Sequence, residues 1–177
     1  MPTSLLAIGG ARSGKSAFAA AWVRARPGPH TYLATCRHEP ADPEMAARIA
    51  HHRAARNQDS WVTVEEPLRI AHVIRMSTLG PVLIDCATLW LTNLGMANDW
   101  NEAAILHEVD DLCALLAAPP VDVAVVTNEV GQGIVPEHAM GRTFRDLQGF
   151  ANQRLAAACM RVELLVAGLP LTLKPRA

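Results

Sequence analysis

The chain alternates short apolar runs with longer stretches in which apolar residues recur at helical spacing. Several runs are apolar on both faces, as the strands of a parallel sheet covered on both faces require. The runs that predict strands are Ser4–Ile8, His30–Thr35, Trp61–Val64, Pro81–Cys86, Val121–Thr127 and Val162–Ala167.

The longer stretches are rich in Ala, Leu and Arg, which favours helices. They are Ser13–Arg26, Pro43–Arg56, Pro67–Ser77, Glu102–Ala118 and Met140–Cys159. Strands and helices in alternation predict an α/β fold with a doubly wound, mostly parallel sheet. After the turn at Gly168 and Pro170 we expect a last short strand, paired antiparallel at the sheet edge. No linker interrupts the pattern, so we expect residues 1–177 to form one domain.

Composition narrows the function classes. Of 177 residues half are hydrophobic and 19% charged, which is typical of globular domains, and the formal net charge is −1. A net charge so close to zero gives no overall positive field that would attract nucleic acid or an anionic membrane. Any affinity for phosphate must therefore come from a local binding site. The four cysteines form no C-x-x-C pair. Without a signal peptide or an apolar run of ~18 residues, we expect a cytoplasmic protein with no stable membrane insertion.

One segment matches the phosphate-binding pattern G-x-x-x-x-G-K-[ST]. It reads Gly9, Gly10, Ala11, Arg12, Ser13, Gly14, Lys15 and Ser16. An apolar strand precedes it and a helix follows, which is the setting of a P-loop: backbone N–H groups and the helix N-terminus face a phosphate. Lys15 would reach the terminal phosphates and Ser16 would bind Mg²⁺. The alternative is a structural glycine-rich turn.

A second acidic position completes this type of site. Asp85 ends the apolar run Val82–Ile84, and ligands of open α/β sheets bind outside the carboxyl ends of the strands. We therefore predict that Asp85 supports the magnesium shell together with Ser16. The alternative is that Asp85 only caps the helix that begins at Ala87.

The predicted helix over residues 43–56 carries two adjacent histidines. Met45, Ile49 and His52 fall on one stripe, so His52 is the better candidate for a packed residue. His51 lies about 200° around the helix from Ile49, on a freer face. A neutral imidazole there can attack an α-phosphate and form a phosphoramidate. An exposed histidine on such a face can equally be only solvated.

Arginines accompany His51 on the same segment. Arg48, Arg53 and Arg56 are placed to stabilise charge on a transferring phosphoryl group. The alternative for each of them is a solvated basic surface.

Taken together, blocks along nearly the whole chain resemble the bifunctional adenosylcobinamide kinase / adenosylcobinamide-phosphate guanylyltransferase family. The P-loop alone would indicate only a superfamily, whereas N-E-V-G-x-G-I-V-P at Asn128–Pro136 is far more specific. The other matching blocks are Tyr32–Thr35, Glu44–Arg53, Trp61–Pro67, Leu83–Cys86, Leu89–Leu94, Arg142–Asp146, Asn152–Gln153 and Val166–Leu171.

The resemblance implies a two-step enzyme. ATP or GTP would phosphorylate the aminopropanol hydroxyl of adenosylcobinamide, and GMP from GTP would then be transferred to that phosphate, giving adenosylcobinamide-GDP. It also implies a homotrimer with nucleotide sites completed between subunits. The resemblance thus implies a corrinoid substrate as partner and Mg²⁺ as cofactor, and the charge balance given above predicts no nucleic-acid partner.

The same resemblance assigns further residues. The family's guanylylated histidine falls on His51. The residues that it places near nucleotide, besides Gly9–Ser16, are Ala34, Thr35, Cys36, Arg53, Ala54, Ala55, Arg56, Glu65 and Asp85. The chain departs from the family pattern in the turn after Arg56, which is one residue longer, and at Asp85, where some relatives carry Glu.

The loop Asn128–Pro136 follows the fifth predicted strand. Asn128 and Glu129 can orient substrate or magnesium, and Gly131 and Gly133 can let the loop close over the corrinoid tail. The alternative is a long connection held by its own hydrogen bonds.

Three rival functions remain open. One is a plain small-molecule kinase without a histidine intermediate. The others are a nucleotide-hydrolysing switch protein and an inactive homologue.

Overall fold

In the computed structural model, residues 1–36, 61–76 and 80–175 are described, and they contain a seven-stranded sheet. The strands, in chain order, are β1 (Ser4–Gly9), β2 (His30–Ala34), β3 (Trp61–Glu65), β4 (Val82–Asp85), β5 (Val123–Asn128), β6 (Arg161–Val166) and β7 (Leu169–Lys174). Each predicted strand is therefore present, and the predicted bounds agree with the observed ones to within two residues.

The spatial order of the strands is β3-β2-β4-β5-β1-β6-β7. Neighbouring strands from β3 to β6 pair in parallel, and β7 pairs antiparallel with β6 at the edge. The predicted α/β fold with a mostly parallel sheet and an antiparallel C-terminal edge strand is confirmed. Ala167 and Gly168 both have positive φ, at 52° and 83°, so the β6–β7 connection is the left-handed two-residue turn that suits a hairpin.

Five helices lie in the described residues. They are α1 (Lys15–Arg24), α2 (Ile70–Met76), α3 (Ala87–Ala97), α4 (Glu102–Ala117) and α5 (Ala139–Ala158). Only the start of α3 is predictable from the sequence, because a helix that is buried on most sides lacks a clear polar stripe. The predicted helix over residues 43–56 lies outside the described residues.

Two apolar clusters cover the two faces of the sheet, as the strand alternation requires. On one face Leu6, Ile84 and Val125 pack with residues of α2 to α5. On the other face Leu5, Leu83 and Val126 pack with residues of α1. The central strands are therefore buried on both sides, which explains their continuous apolar runs.

Because β1, β2, β3, β4 and β5 are parallel, their carboxyl ends lie along one edge of the sheet. This edge holds Gly9, Ala34, Glu65, Asp85 and Asn128. Among the described residues, no helix is long and apolar enough to cross a membrane.

Candidate nucleotide site

The loop between β1 and α1 is held tightly against the sheet and the β6–β7 turn. A Cβ added to Gly9 would lie 2.5 Å from the carbonyl oxygen of Leu165, so only glycine fits there. Gly14 precedes α1 with φ 92°, a left-handed conformation that glycine adopts readily. The amide of Gly168 donates a 2.9 Å hydrogen bond to the carbonyl of Ser13. The β6–β7 turn thus supports the loop from outside the motif.

Lys15 is folded back over this loop. Its side chain is only 8% exposed, and its Nζ donates a 2.9 Å hydrogen bond to the carbonyl of Gly10. Burial lowers the pKa of Lys15, while the negative charge of Asp85 acts in the opposite direction. A cation held in this way is ready to exchange the carbonyl for a phosphate oxygen.

Two hydroxyl groups of the loop fit a phosphate and a hard cation. The buried Oγ of Ser13 has no hydrogen-bond partner among the described residues. A buried hydroxyl without a partner is costly, so a ligand oxygen at this position would stabilise the loop. The Oγ of Ser16 donates to Oδ1 of Asp85 over 3.4 Å, and a hydroxyl beside a carboxylate is the oxygen donor set that Mg²⁺ accepts.

Asp85 faces this site and does not cap the following helix. The N-cap residue of α3 is Cys86, which makes no side-chain capping bond. The carboxylate of Asp85 accepts hydrogen bonds from Ser16 and, over 2.9 Å, from the hydroxyl of Tyr32. The alternative reading of Asp85 as only a helix cap is therefore wrong.

Thr35 organises the backbone beneath Asp85. It is fully buried, and its Oγ1 both donates to the carbonyl of Cys86 and accepts from the Cys86 amide. Its own carbonyl accepts a 2.7 Å hydrogen bond from Nδ2 of Asn93. These contacts occupy the Thr35 hydroxyl, so the residue supports the strand ends from below, and a direct nucleotide contact stays a prediction.

Cys86 belongs to the core and not to a thiol chemistry site. It is 8% exposed, and burial raises the pKa of its thiol to about 12. Cys86 is therefore a small residue of the core.

Three of the residues expected near nucleotide form one row across the sheet. Ala34 is paired with Asp85 on one side and with Glu65 on the other. Adjacent strands are about 4.8 Å apart, which places Glu65 roughly 10 Å from Asp85 along the sheet edge. The row is long enough to lie beside a nucleotide that starts at the P-loop.

The exit of β5 is fixed by a buried polar network. Thr127 Oγ1 donates to Asn152 Oδ1 over 2.7 Å, and Gln148 Nε2 donates to both. Asn152 Nδ2 then donates to the carbonyl of Asn128, and the amide of Glu129 donates to the carbonyl of Gly9. The network therefore connects α5 to the first residue of the P-loop.

The loop after Asn128 makes local hydrogen bonds. Oε1 of Glu129 accepts from the amide of Gly131, and Arg142 donates to the carbonyls of Pro136 and Glu137. Ile134 and Val135 remain exposed, at 96% and 56%. The loop is thus held in part by its own contacts, while it presents apolar side chains outward.

The remaining predicted residues are exposed, half-buried or outside the described part of the chain. Gly10, Ala11 and Arg12 are exposed on the loop, and Cys36 is half-buried just after β2. His51, Arg53, Ala54, Ala55 and Arg56 lie outside the described residues, as do His52 and Arg48.

A family model described as cobinamide kinase / cobinamide phosphate guanyltransferase, the CobU family, matches residues 5–173. The chain belongs to this family. It is therefore a cobinamide kinase and cobinamide phosphate guanylyltransferase, and the resemblance found in the sequence blocks is confirmed. Among the residues predicted to contact nucleotide, those of the P-loop, Asp85, Glu65 and Ala34 lie in the described part of the chain.

Curated relatives of the family match over nearly their full length. The bifunctional adenosylcobalamin biosynthesis protein CobU of Salmonella typhimurium is 42% identical over 184 residues, covering 96% of this chain and 99% of the relative. The protein CobP of Pseudomonas aeruginosa is 40% identical over 171 residues, covering 96% of each chain. CobU of Escherichia coli is 40% identical over 184 residues, covering 96% and 99%.

A solved structure supports the fold alone. The P4 protein from bacteriophage phi6 in complex with ADP matches with a TM-score of 0.52 at 15% identity. The match covers 96% of this enzyme and 54% of P4, so the enzyme spans about half the length of that protein.

Three residues of the candidate site were not predicted from the sequence. Tyr32 bonds Asp85, Asn93 holds the carbonyl of Thr35, and Gly168 supports the P-loop. A tyrosine in the middle of a predicted strand was the available signal, since a buried phenol hydroxyl usually needs a partner. The contacts of Asn93 and Gly168 depend on tertiary packing and leave no local pattern.

Proposed function

We propose that this enzyme phosphorylates the aminopropanol hydroxyl of adenosylcobinamide with ATP or GTP. It then transfers GMP from GTP to the new phosphate through a guanylyl-histidine at His51, giving adenosylcobinamide-GDP and pyrophosphate in adenosylcobalamin biosynthesis. The phosphoryl-transfer step is supported by one observation: Lys15, Ser16 and Asp85 lie together at one edge of the sheet.

For the kinase step, the loop residues Gly9–Ser16 bind the phosphates of the donor. Lys15 exchanges its bond to Gly10 for the terminal phosphates, and the unpartnered hydroxyl of Ser13 gains an acceptor. Positioning of this kind supplies most of the catalysis in phosphoryl transfer, because the protein itself makes no covalent bond.

Ser16 and Asp85 would hold Mg²⁺, in part through water. When bound, the ion neutralises charge on the phosphate oxygens. The side chain of Asp85 is shorter than that of Glu, so it extends less far toward the ion. Its hydrogen bonds to the Ser16 and Tyr32 hydroxyls therefore help to determine where its carboxylate lies.

For the guanylyl step, a neutral nitrogen of His51 attacks the α-phosphorus of GTP and pyrophosphate leaves. A phosphate oxygen of adenosylcobinamide phosphate then attacks the same phosphorus and releases the imidazole. Arg53 to Arg56 would contact GTP together with Ala34, Thr35, Cys36 and Glu65. The row from Asp85 to Glu65 supports a nucleotide that extends from the P-loop across β2 to β3.

We further propose that the enzyme is a homotrimer. The edge strand β7 supports an interface between copies, because it exposes Leu169, Leu171 and Leu173 at 72%, 58% and 56%. Leu171→Glu should reduce the mass measured by sedimentation equilibrium. Met96→Glu, at another exposed apolar position, serves as the control. A trimer that survives Leu171→Glu would place the interface elsewhere.

A product assay tests the function. The enzyme is incubated with adenosylcobinamide, Mg²⁺ and either ATP alone or GTP, and the corrinoids are separated by chromatography and mass spectrometry. We expect the phosphate with ATP alone and the GDP derivative with GTP. Lys15→Ala should impair both steps if they share one nucleotide site. Normal GMP transfer by Lys15→Ala would show that the two steps use different sites.

A further inference from the structure

Resting on the proposed binding of a metal–nucleotide complex, we propose that Tyr32 is a positioning residue for Asp85. Its hydroxyl fixes one carboxylate oxygen, so that the other faces Ser16 and the metal–nucleotide complex. Nothing in the P-loop pattern assigns a role to this tyrosine, which belongs to β2 and not to the loop.

The contact is made between neighbouring strands. Ala34 pairs with Asp85, and Tyr32 lies two residues earlier on the same face of β2. From there its hydroxyl reaches Oδ2 of Asp85 at 2.9 Å. The residue is only 7% exposed, and its ring packs edge-on to Trp61 with the ring centroids 6.1 Å apart. The phenol is therefore held by packing, and its hydroxyl has a fixed direction.

The two oxygens of Asp85 have different partners. Oδ2 accepts the 2.9 Å bond from Tyr32, whereas Oδ1 has the longer 3.4 Å contact with Ser16. The shorter bond to a charged acceptor is the stronger one, so Tyr32 sets the orientation of the carboxylate. Oδ1 then remains directed toward Ser16. There it can coordinate an ion bound to the nucleotide phosphates, either directly or through a water molecule.

Outer residues that orient a metal-binding carboxylate affect affinity for the ion without touching it. Loss of the hydroxyl frees Asp85 to rotate and leaves Oδ2 without this donor. We therefore expect Tyr32→Phe to weaken ion binding roughly tenfold, because a hydrogen bond to a charged group is worth about that factor. Binding of nucleotide alone should change by less than about twofold, because the loop contacts of Lys15 and Ser13 remain.

The rival explanation is that Tyr32 only fills the core. Trp61→Phe is the matched control, because it disturbs the ring packing around Tyr32 and leaves the hydroxyl in place. The indole Nε1 of Trp61 has no hydrogen-bond partner among the described residues, so this control removes no such bond. A packing role would be affected at least as much by Trp61→Phe as by Tyr32→Phe.

The test measures ion binding directly. Mn²⁺ is titrated into the protein–ADP complex of each variant and the free ion is followed by electron paramagnetic resonance. ADP binding is measured separately in EDTA, and thermal unfolding checks the fold. The expected result is a roughly tenfold weaker Mn²⁺ affinity for Tyr32→Phe, and a clearly smaller loss for Trp61→Phe, in which the hydroxyl is kept.

A double-mutant cycle adds a second criterion. In an Asp85→Asn background, Tyr32→Phe should cause no further loss of Mn²⁺ affinity, since its effect acts through the carboxylate. Wild-type Mn²⁺ affinity in Tyr32→Phe, an equal loss in Trp61→Phe, or additive losses in the double variant would each overturn the proposal. A wild-type enzyme that binds Mn²⁺–ADP but does not phosphorylate the corrinoid would contradict the proposed function. The comparison of Mn²⁺ affinities among the variants would still test the role of Tyr32.

Discussion

Replacement of Gly14 by alanine tests whether the P-loop depends on the β6–β7 turn. Gly14 has φ 92°, and an added Cβ would lie 3.0 Å from Cα of Gly168. A left-handed conformation costs a non-glycine residue about 1–2 kcal/mol. Alanine also reduces the entropy of the unfolded chain, which offsets about 0.4–1 kcal/mol.

The contact with Gly168 adds to the cost, because it is made with backbone and not with the end of a flexible side chain. Gly168 cannot move away without losing the hydrogen bond from its amide to the carbonyl of Ser13. We therefore expect Gly14→Ala to lower the free energy of unfolding by about 1–2 kcal/mol. Nucleotide affinity should fall by roughly tenfold or more, since the backbone amides that face the phosphates shift.

Gly149→Ala is the matched control for stability. Gly149 lies inside α5, has no positive φ, and has no heavy atom of the described residues within 4 Å of an added Cβ. Its replacement should raise the free energy of unfolding by about 0.5–1 kcal/mol. Urea unfolding of both variants, with fluorescent-nucleotide titration, measures the two effects. Gly14→Ala at wild-type stability and affinity would refute the argument that backbone conformation and contact restrict this position to glycine.

Three further results are expected. Burial alone would raise the pKa of the Asp122 carboxyl, but hydrogen bonds from Thr3 and the charge of Arg26 outweigh it, so the pKa lies below its usual value. The stability from this ionised group is therefore present above the unfolded-state pKa of 3.8 and is lost as the pH falls below it. Urea unfolding should show Asp122→Asn about 1 kcal/mol less stable at pH 7, with a smaller gap at pH 3. Burial lowers the pKa of Lys15, so its ammonium group loses its proton at a pH below the usual value of 10.5. Nucleotide affinity should therefore decline as the pH rises toward that value. Lys15→Arg should remove that decline, and titrations from pH 7 to about 10 measure it. Asn152→Ala should cost about 2 kcal/mol in urea unfolding, because it leaves buried partners unsatisfied. An effect below about 0.5 kcal/mol would mean that water replaces the amide.

The sequence predicted the sheet well because the central strands are buried on both faces. Runs such as Val82–Ile84 are apolar throughout, which is a local signal of a buried strand. The P-loop was equally accessible, since its glycines, Lys15 and Ser16 follow a strand and open a helix. The edge strand β7 was predicted from the turn residues before it.

The contacts that complete the site were not predictable in the same way. The bond from Tyr32 to Asp85 joins residues 53 positions apart, and the Gly168–Ser13 bond joins the two ends of the chain. Each depends on the order of strands in the sheet, which no local pattern specifies. For the same reason periodicity could not decide whether Asp85 caps α3 or faces the loop.

The most direct test of the account is guanylylation of His51. Wild type, His51→Asn and the control His52→Asn are incubated with Mg²⁺ and α-³²P-GTP, then resolved on a denaturing gel. We expect acid-labile, base-stable label on the wild type and on His52→Asn, and none on His51→Asn. Label that persists in His51→Asn would place the intermediate on another residue. Corrinoid guanylylation with no labelled protein would contradict the covalent route.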